Sequence, residues 1–117
     1  MKLRTLAPIF QVADMDRAMA FYRDVLGFDP GWSVGEPPRL ASLCRNDIEI
    51  MLEVAAAPVL SHVYIVMDGV DEYFAGVTSV GAREVVPLAD REYGMRDGRI
   101  ADPDGNQLSL GESLHRD

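Results

Sequence analysis

The chain has 117 residues, 48% hydrophobic and 26% charged, which is the balance of a globular protein and not of a disordered one; below the ~150 residues of a typical domain, it makes one compact domain or two tightly fused halves. Nineteen acidic against eleven basic residues leave a net charge of −8, which repels phosphate backbones and anionic lipid and argues against a nucleic-acid or membrane-surface role. One cysteine, Cys44, excludes an internal disulfide, no apolar run reaches the ~20 residues of a membrane span, and Met1 to Arg4 lead into alternating sequence instead of a signal-peptide core, so a cytoplasmic protein is expected.

From Leu3 to Val12 the residues alternate, with Leu6, Pro8, Phe10 and Val12 on one face and Ala7, Ile9 and Gln11 on the other, predicting a strand in which Pro8 marks a bulge or an edge. Asp14 can cap a helix whose apolar positions Met15, Ala18, Met19, Tyr22, Val25 and Leu26 recur at helical spacing, and Gly27 is its stop. Strands follow around Trp32 to Val34, over Leu40 to Arg45 and over Asp47 to Val54, with a tight turn at Asn46-Asp47. In the last of these Ile48, Ile50, Leu52 and Val54 form an apolar face that must pack on a helix. Asp47, Glu49, Met51 and Glu53 form a half-charged face for water or ligand. Cys44 reads as a small buried filler.

Residues 55–59 look like a linker, and then the pattern restarts. Ser61 to Asp68 alternates, with Val63, Ile65 and Met67 against His62, Tyr64 and Val66. Val70, Tyr73, Phe74, Val77 and Val80 make a helical stripe that Gly81 closes. Further strands are expected near Arg83 to Leu88, Met95 to Ala101 and Asn106 to Leu110, the last two joined by the turn Asp102-Pro103-Asp104-Gly105. Val12 and Met67, and Tyr22 and Val77, stand 55 residues apart, Gly27 and Gly81 stand 54 apart, and Asn46 to Ile50 match Asn106 to Leu110 at 60. The chain is a duplicated strand–helix–three-strand unit, one copy over about 1–56 and the other over about 60–113.

The opening PIFQVADMDRAMAFYRDVLGF and the late YGMRDGRIADPDGNQLSL resemble the vicinal oxygen chelate superfamily of glyoxalase I, bleomycin-resistance proteins, fosfomycin-resistance enzymes and extradiol dioxygenases, over nearly the whole chain. The resemblance implies an α+β fold of two tandem βαβββ modules, a curved, cup-shaped mixed sheet with helices outside, and a homodimer. It says less about chemistry, because such a fold hosts several reactions.

In metal-binding members each module offers one ligand on its first strand and one on its last. The matching positions here are Ala7, Glu49, His62 and Ser109. Alanine has no donor atom and a neutral serine hydroxyl is a poor replacement for a carboxylate, whereas catalytic zinc takes three protein ligands. Glu53, Gln11 and Gln107 lie on the right faces, but positions i and i+2 are about 6.6 Å apart, so a displaced ligand needs a displaced metal. No cofactor is therefore expected, with a divalent metal on Glu49 and His62 the disfavoured alternative. On the same resemblance the chain looks most like the metal-free bleomycin-resistance-like branch. The expected function is sequestration of an aromatic or cationic small molecule in a dimer cup, with Trp32, Glu49, His62, Tyr64, Tyr93 and Ser109 as ligand-binding candidates. Against this stand a metal-dependent lyase, isomerase or dioxygenase-like enzyme with Glu49 as the catalytic candidate, and a dimeric interaction module with a vestigial cup.

Overall fold

In the computed structural model, which describes residues 1–115, one arrangement is built twice. Met1 to Leu60 make the first compact unit, and the second begins at Ser61. Each holds a four-stranded mixed sheet and a helical segment, an α+β fold of two βαβββ modules.

In the first unit β1 (Ile9–Val12) lies parallel to β4 (Ile48–Val54), which pairs antiparallel with β3 (Leu40–Arg45), and β2 (Asp29–Val34) forms the far edge. β1 is shorter than its alternation predicts. Pro8 has no N–H for a ladder and contributes only its carbonyl, which accepts from Met51 N at 2.9 Å. Ahead of it Leu6 stays 84% exposed, so the apolar face runs only through Phe10 and Val12.

Asp14 starts the helix as expected. Its backbone is extended and its side chain accepts from Arg17 N at 3.1 Å, capping α1 (Met15–Ala20). The helix then widens into a π turn over Phe21–Val25, closed by Leu26 N on Phe21 O at 3.1 Å, which periodicity alone does not announce. The wider turn lets Phe21, Tyr22 and Leu26 all bury on the sheet. Tyr22 meets Phe21 and Phe28 edge-on, with ring centroids 5.4 and 6.2 Å away. Gly27 follows with φ 78°, the left-handed turn that ends the segment, and Gly81 does the same after the second helix with φ 130°.

On β4, Ile50 and Leu52 are fully buried toward α1, while Glu49, Met51 and Glu53 line the other face, as the alternation requires. Cys44 corrects the sequence reading: it is exposed, because it sits directly opposite Glu49 on that polar face and not among the apolar residues beneath the helix.

In the second unit β5 (His62–Val66) runs parallel to β8 (Gln107–Ser113), β8 pairs with β7 (Met95–Ala101), and β6 (Arg83–Asp90) is the edge, repeating the order of the first sheet. α2 (Val70–Ser79) buries Val70, Phe74 and Val77 against β6, β7 and β8. Its N-cap, Gly69, has no side chain to offer. Glu112 of β8 supplies the acceptor instead, taking Gly69 N at 3.1 Å and Val70 N at 3.0 Å. The Asp102–Gly105 turn is held by one carboxylate. Asp102 Oδ1 accepts from the backbone of Asp104, Gly105 and Asn106 at 2.9–3.0 Å, while Asn106 Oδ1 takes Ser61 N at 3.0 Å and so fixes the entry of β5 beside β8.

Candidate functional site

Each sheet turns one face to its helix and leaves the other polar. In the first unit the polar face carries Glu49, whose Oε2 accepts from Ser42 Oγ at 2.5 Å, and Glu53, which accepts from Gln11 Nε2 at 3.2 Å. Ser42 is directly opposite Met51 and lies 4.0 Å from Cys44 Sγ. Trp32 stands on the edge strand β2, 46% exposed, within the irregularity that interrupts pairing between Pro30 and Ser33. Ala7, just before β1, contributes no donor atom.

The second unit's polar face is denser. On β5, β8 and β7 the residues His62, Tyr64, Gln107, Ser109, Gly111, Asp97 and Arg99 share it, through the registers Tyr64 to Ser109, Ser109 to Arg99 and Gly111 to Asp97. Two clusters form.

One is a carboxylate hub. Asp97 is only 6% exposed, yet it carries a charge because three donors converge on it: Tyr64 Oη at 2.8 Å and Tyr93 Oη at 2.5 Å on Oδ2, and Arg91 Nε at 2.9 Å on Oδ1. Burial opposes ionisation, but the hydrogen bonds from Tyr93, Arg91 and Tyr64 outweigh it and hold the carboxyl below its ordinary range. The phenols respond oppositely. Burial first, then the bond to Asp97, pushes Tyr64 up to about 12, and the bond to Asp97 leads the rise at Tyr93. Gly111 makes the reach of Tyr64 feasible, since a Cβ there would occupy the place of the phenol oxygen.

The other cluster joins His62 to Ser109, Nε2 to Oγ at 2.7 Å. Arg99 donates from Nε to the same Ser109 Oγ at 3.2 Å and from Nη1 to Gln107 Oε1 at 3.2 Å. Burial and then the Arg99 charge lower the proton affinity of His62, which favours its neutral imidazole.

Of the residues singled out from sequence, His62 and Ser109 thus meet, and Tyr64 and Tyr93 meet through Asp97. Glu49 and Trp32 belong to the other unit, on strands separated by β3. Asp97, Arg91, Arg99 and Ser42 escaped that reading. Alternation along Met95 to Ala101 puts Asp97 and Arg99 on one face together, and the register of β7 on β8 makes it the face of Ser109 and His62.

A metal does not fit the positions that the resemblance assigns to ligands. In the second unit the serine oxygen that would ligate already accepts from a guanidinium, a fixed cation where an incoming cation would sit. In the first, Ala7 supplies no donor to join Glu49. Among the described residues no group of three His, Cys, Asp or Glu side chains is placed to hold an ion.

The fold recurs widely. TioX from Micromonospora sp. ML1 is 24% identical and superposes with a TM-score of 0.83 over 95% of this chain and 99% of that one. A glyoxalase/bleomycin resistance protein/dioxygenase superfamily member from Sphaerobacter thermophilus DSM 20745 is 21% identical, with a TM-score of 0.81 over 96% and 98%. Lactoylglutathione lyase from Agrobacterium tumefaciens is 22% identical, with a TM-score of 0.76 over 93% and 92%. At these identities the likeness is one of fold. No curated protein matches the sequence. The glyoxalase/bleomycin resistance protein/dioxygenase superfamily model, however, matches residues 4–110, and the chain belongs to that superfamily.

Proposed function

We propose that this protein binds a small organic molecule, aromatic or cationic, on the polar face of its first sheet and does so without a resident metal ion. The observation that carries its metal-free part is Arg99. Its guanidinium lies 3.2 Å from Ser109 Oγ, so the second unit brings a permanent positive charge to the position where a metal-binding relative places a ligand. The first unit supports the ligand class. Glu49 and Glu53 give its polar face negative charge, and Trp32 offers an exposed ring for stacking. The acidic chain as a whole draws cations toward it.

The working form is a homodimer, a reading supported by two separate sheets that each end in edge strands, β1 and β2 in one and β5 and β6 in the other, the kind of element a second copy extends. Sedimentation as a 12.9 kDa monomer across micromolar concentrations refutes it.

The direct test is native mass spectrometry together with elemental analysis of dialysed protein. Less than a tenth of an equivalent of any divalent metal, and an unchanged melting temperature with EDTA, are expected. A full equivalent that survives dialysis overturns the reading in favour of a metal-dependent enzyme using Glu49 and His62. Failure of every aromatic or cationic compound to raise the melting temperature in a broad screen overturns it in favour of an interaction module.

A further inference from the structure

Three half-buried arginines of the second unit are used differently. Arg91 is paired with Asp97 at 2.9 Å, and Arg96 is paired with Asp71 at 2.8 Å and Asp90 at 3.1 Å. Among the described residues Arg99 pairs with no carboxylate. Its acceptors are two neutral oxygens, Ser109 Oγ and Gln107 Oε1, and neither hydrogen on Nη2 meets an acceptor among the described residues. Carboxylates are not scarce in a chain with nineteen acidic residues, yet among the described residues none pairs with this guanidinium. Partial burial of a cation whose only partners are neutral is costly, and an anion that completes its coordination offsets that cost.

We propose that the Arg99–Ser109–His62 corner of the second unit is an oxyanion site, taking the carboxylate or phosphate group of a small organic molecule. The geometry prepares it. Arg99 and Ser109 are opposite each other on β7 and β8, and Gln107 holds Nη1, so the fork is oriented before anything binds. Ser109 Oγ, accepting from Arg99, can donate its own O–H in a hydrogen bond to His62 Nε2. The imidazole that accepts at Nε2 carries its hydrogen on Nδ1, so the ring keeps one donor of its own. The site therefore combines a charged planar fork with a neutral donor, which matches an oxyanion and rejects an ammonium group. Its polarity is opposite to that of Glu49 and Glu53 on the first sheet, so the two faces select different groups. The inference rests on the metal-free reading only in requiring that no ion occupy this corner.

The test is NMR titration of isotope-labelled protein, its metal content measured beforehand, with benzoate, phenyl phosphate and benzamide as probes at low salt. Saturable shifts at the Arg99 Nε–H and Ser109 amide resonances are expected with at least one anion. That anion should bind at least tenfold more tightly than benzamide, and the tighter of the two identifies the group. Arg99→Gln should erase the preference for the anion, while Arg99→Lys, which keeps the charge and loses the fork, should weaken anion binding severalfold and retain the preference. Equal binding of benzamide, shifts located elsewhere, or an Arg99→Gln protein that still prefers the anion overturns the site. So does a folded Arg99→Lys protein without preference. A stoichiometric metal refutes the metal-free reading by its mass alone, whereas failure of both anions on metal-free protein refutes this site and leaves that reading standing.

Discussion

Asp97→Asn removes the charge on which the second unit's polar face is organised. Three donors now converge on two carboxylate oxygens: two phenols on Oδ2 and the Arg91 guanidinium on Oδ1. An amide offers one acceptor oxygen and turns the other position into a donor. Whichever way it is oriented, an N–H group faces either the guanidinium or the phenols. Breaking a buried pair by removing one partner costs ~3–5 kcal/mol. Arg91 keeps 27% of its side chain exposed and retains the carbonyls of Pro87 at 2.8 Å and Asp97 at 3.1 Å, which water and backbone can use to soften the loss. About 3 kcal/mol is therefore expected. That is a large share of the ~5–15 kcal/mol by which a domain is stable.

With a urea slope of about 2 kcal/mol/M, the unfolding midpoint followed by tryptophan fluorescence falls by about 1.5 M at unchanged slope. The acid limb provides an independent check. Asp97 is held below its reference value of 3.8, so its stabilisation is fully present above that value and is lost as pH falls through the lower folded one. The variant lacks that part of the slope. In difference spectra at alkaline pH, Tyr64, pushed up to about 12 in the parent, should ionise closer to its reference of 10.0 once the carboxylate is gone. A midpoint change below about 0.3 M, with the phenol titration unmoved, refutes the hub as a source of stability.

Gly111→Ala places a methyl where the Tyr64 phenol lies and should release it from Asp97 as Tyr64→Phe does; each costs about 1–2 kcal/mol in urea unfolding, and the double variant should cost less than the sum. Replacing Gly27 (φ 78°) by Val forces a β-branched residue into the left-handed region and displaces the Arg45 guanidinium that donates to Leu26 O at 2.9 Å, so a loss exceeding about 1 kcal/mol is expected, and the same change at Gly81 (φ 130°) should behave alike. His62 is held neutral by burial and by Arg99, so its contribution is present above its reference of 6.5 and declines as pH falls through the lowered folded value; Arg99→Gln should flatten the stability curve there, and an unaltered curve counts against the contact.

How legible this was in the sequence differs between the two faces of each sheet. The faces under the helices obey one period-two rule. Phe10 and Val12, Ile50 and Leu52, and Leu108 and Leu110 are apolar in sequence and buried in the fold. The boundaries that failed did so for local reasons. Pro8 withdrew a ladder donor and shortened β1, and the π turn at Phe21–Val25 departs from the 3.6 period on which the helix was read. The Cys44 reading failed because a small thiol suits either face, and residue type alone does not choose between them.

The polar faces carry no such rule, and here the duplication itself is informative. Both copies must bury an apolar face beneath a helix, so that face keeps the same character in each. The open face is free of that demand and has diverged: Ala7 stands where the second copy has His62, and Glu49 where it has Ser109. Types at single positions could be read from the sequence. Partnerships could not, because His62, Arg99 and Ser109 come from three strands and meet only once β8 is paired on both sides. Arg99 is silent in the sequence for that reason. A charge on a strand's polar face is ordinary until its neighbours are known, and it becomes a functional candidate when those neighbours prove to be a serine, a glutamine and a neutral imidazole in place of a carboxylate. Divergence of the open faces over a conserved pair of cores is what allows one duplicated chain to present negative charge on one sheet and positive charge on the other.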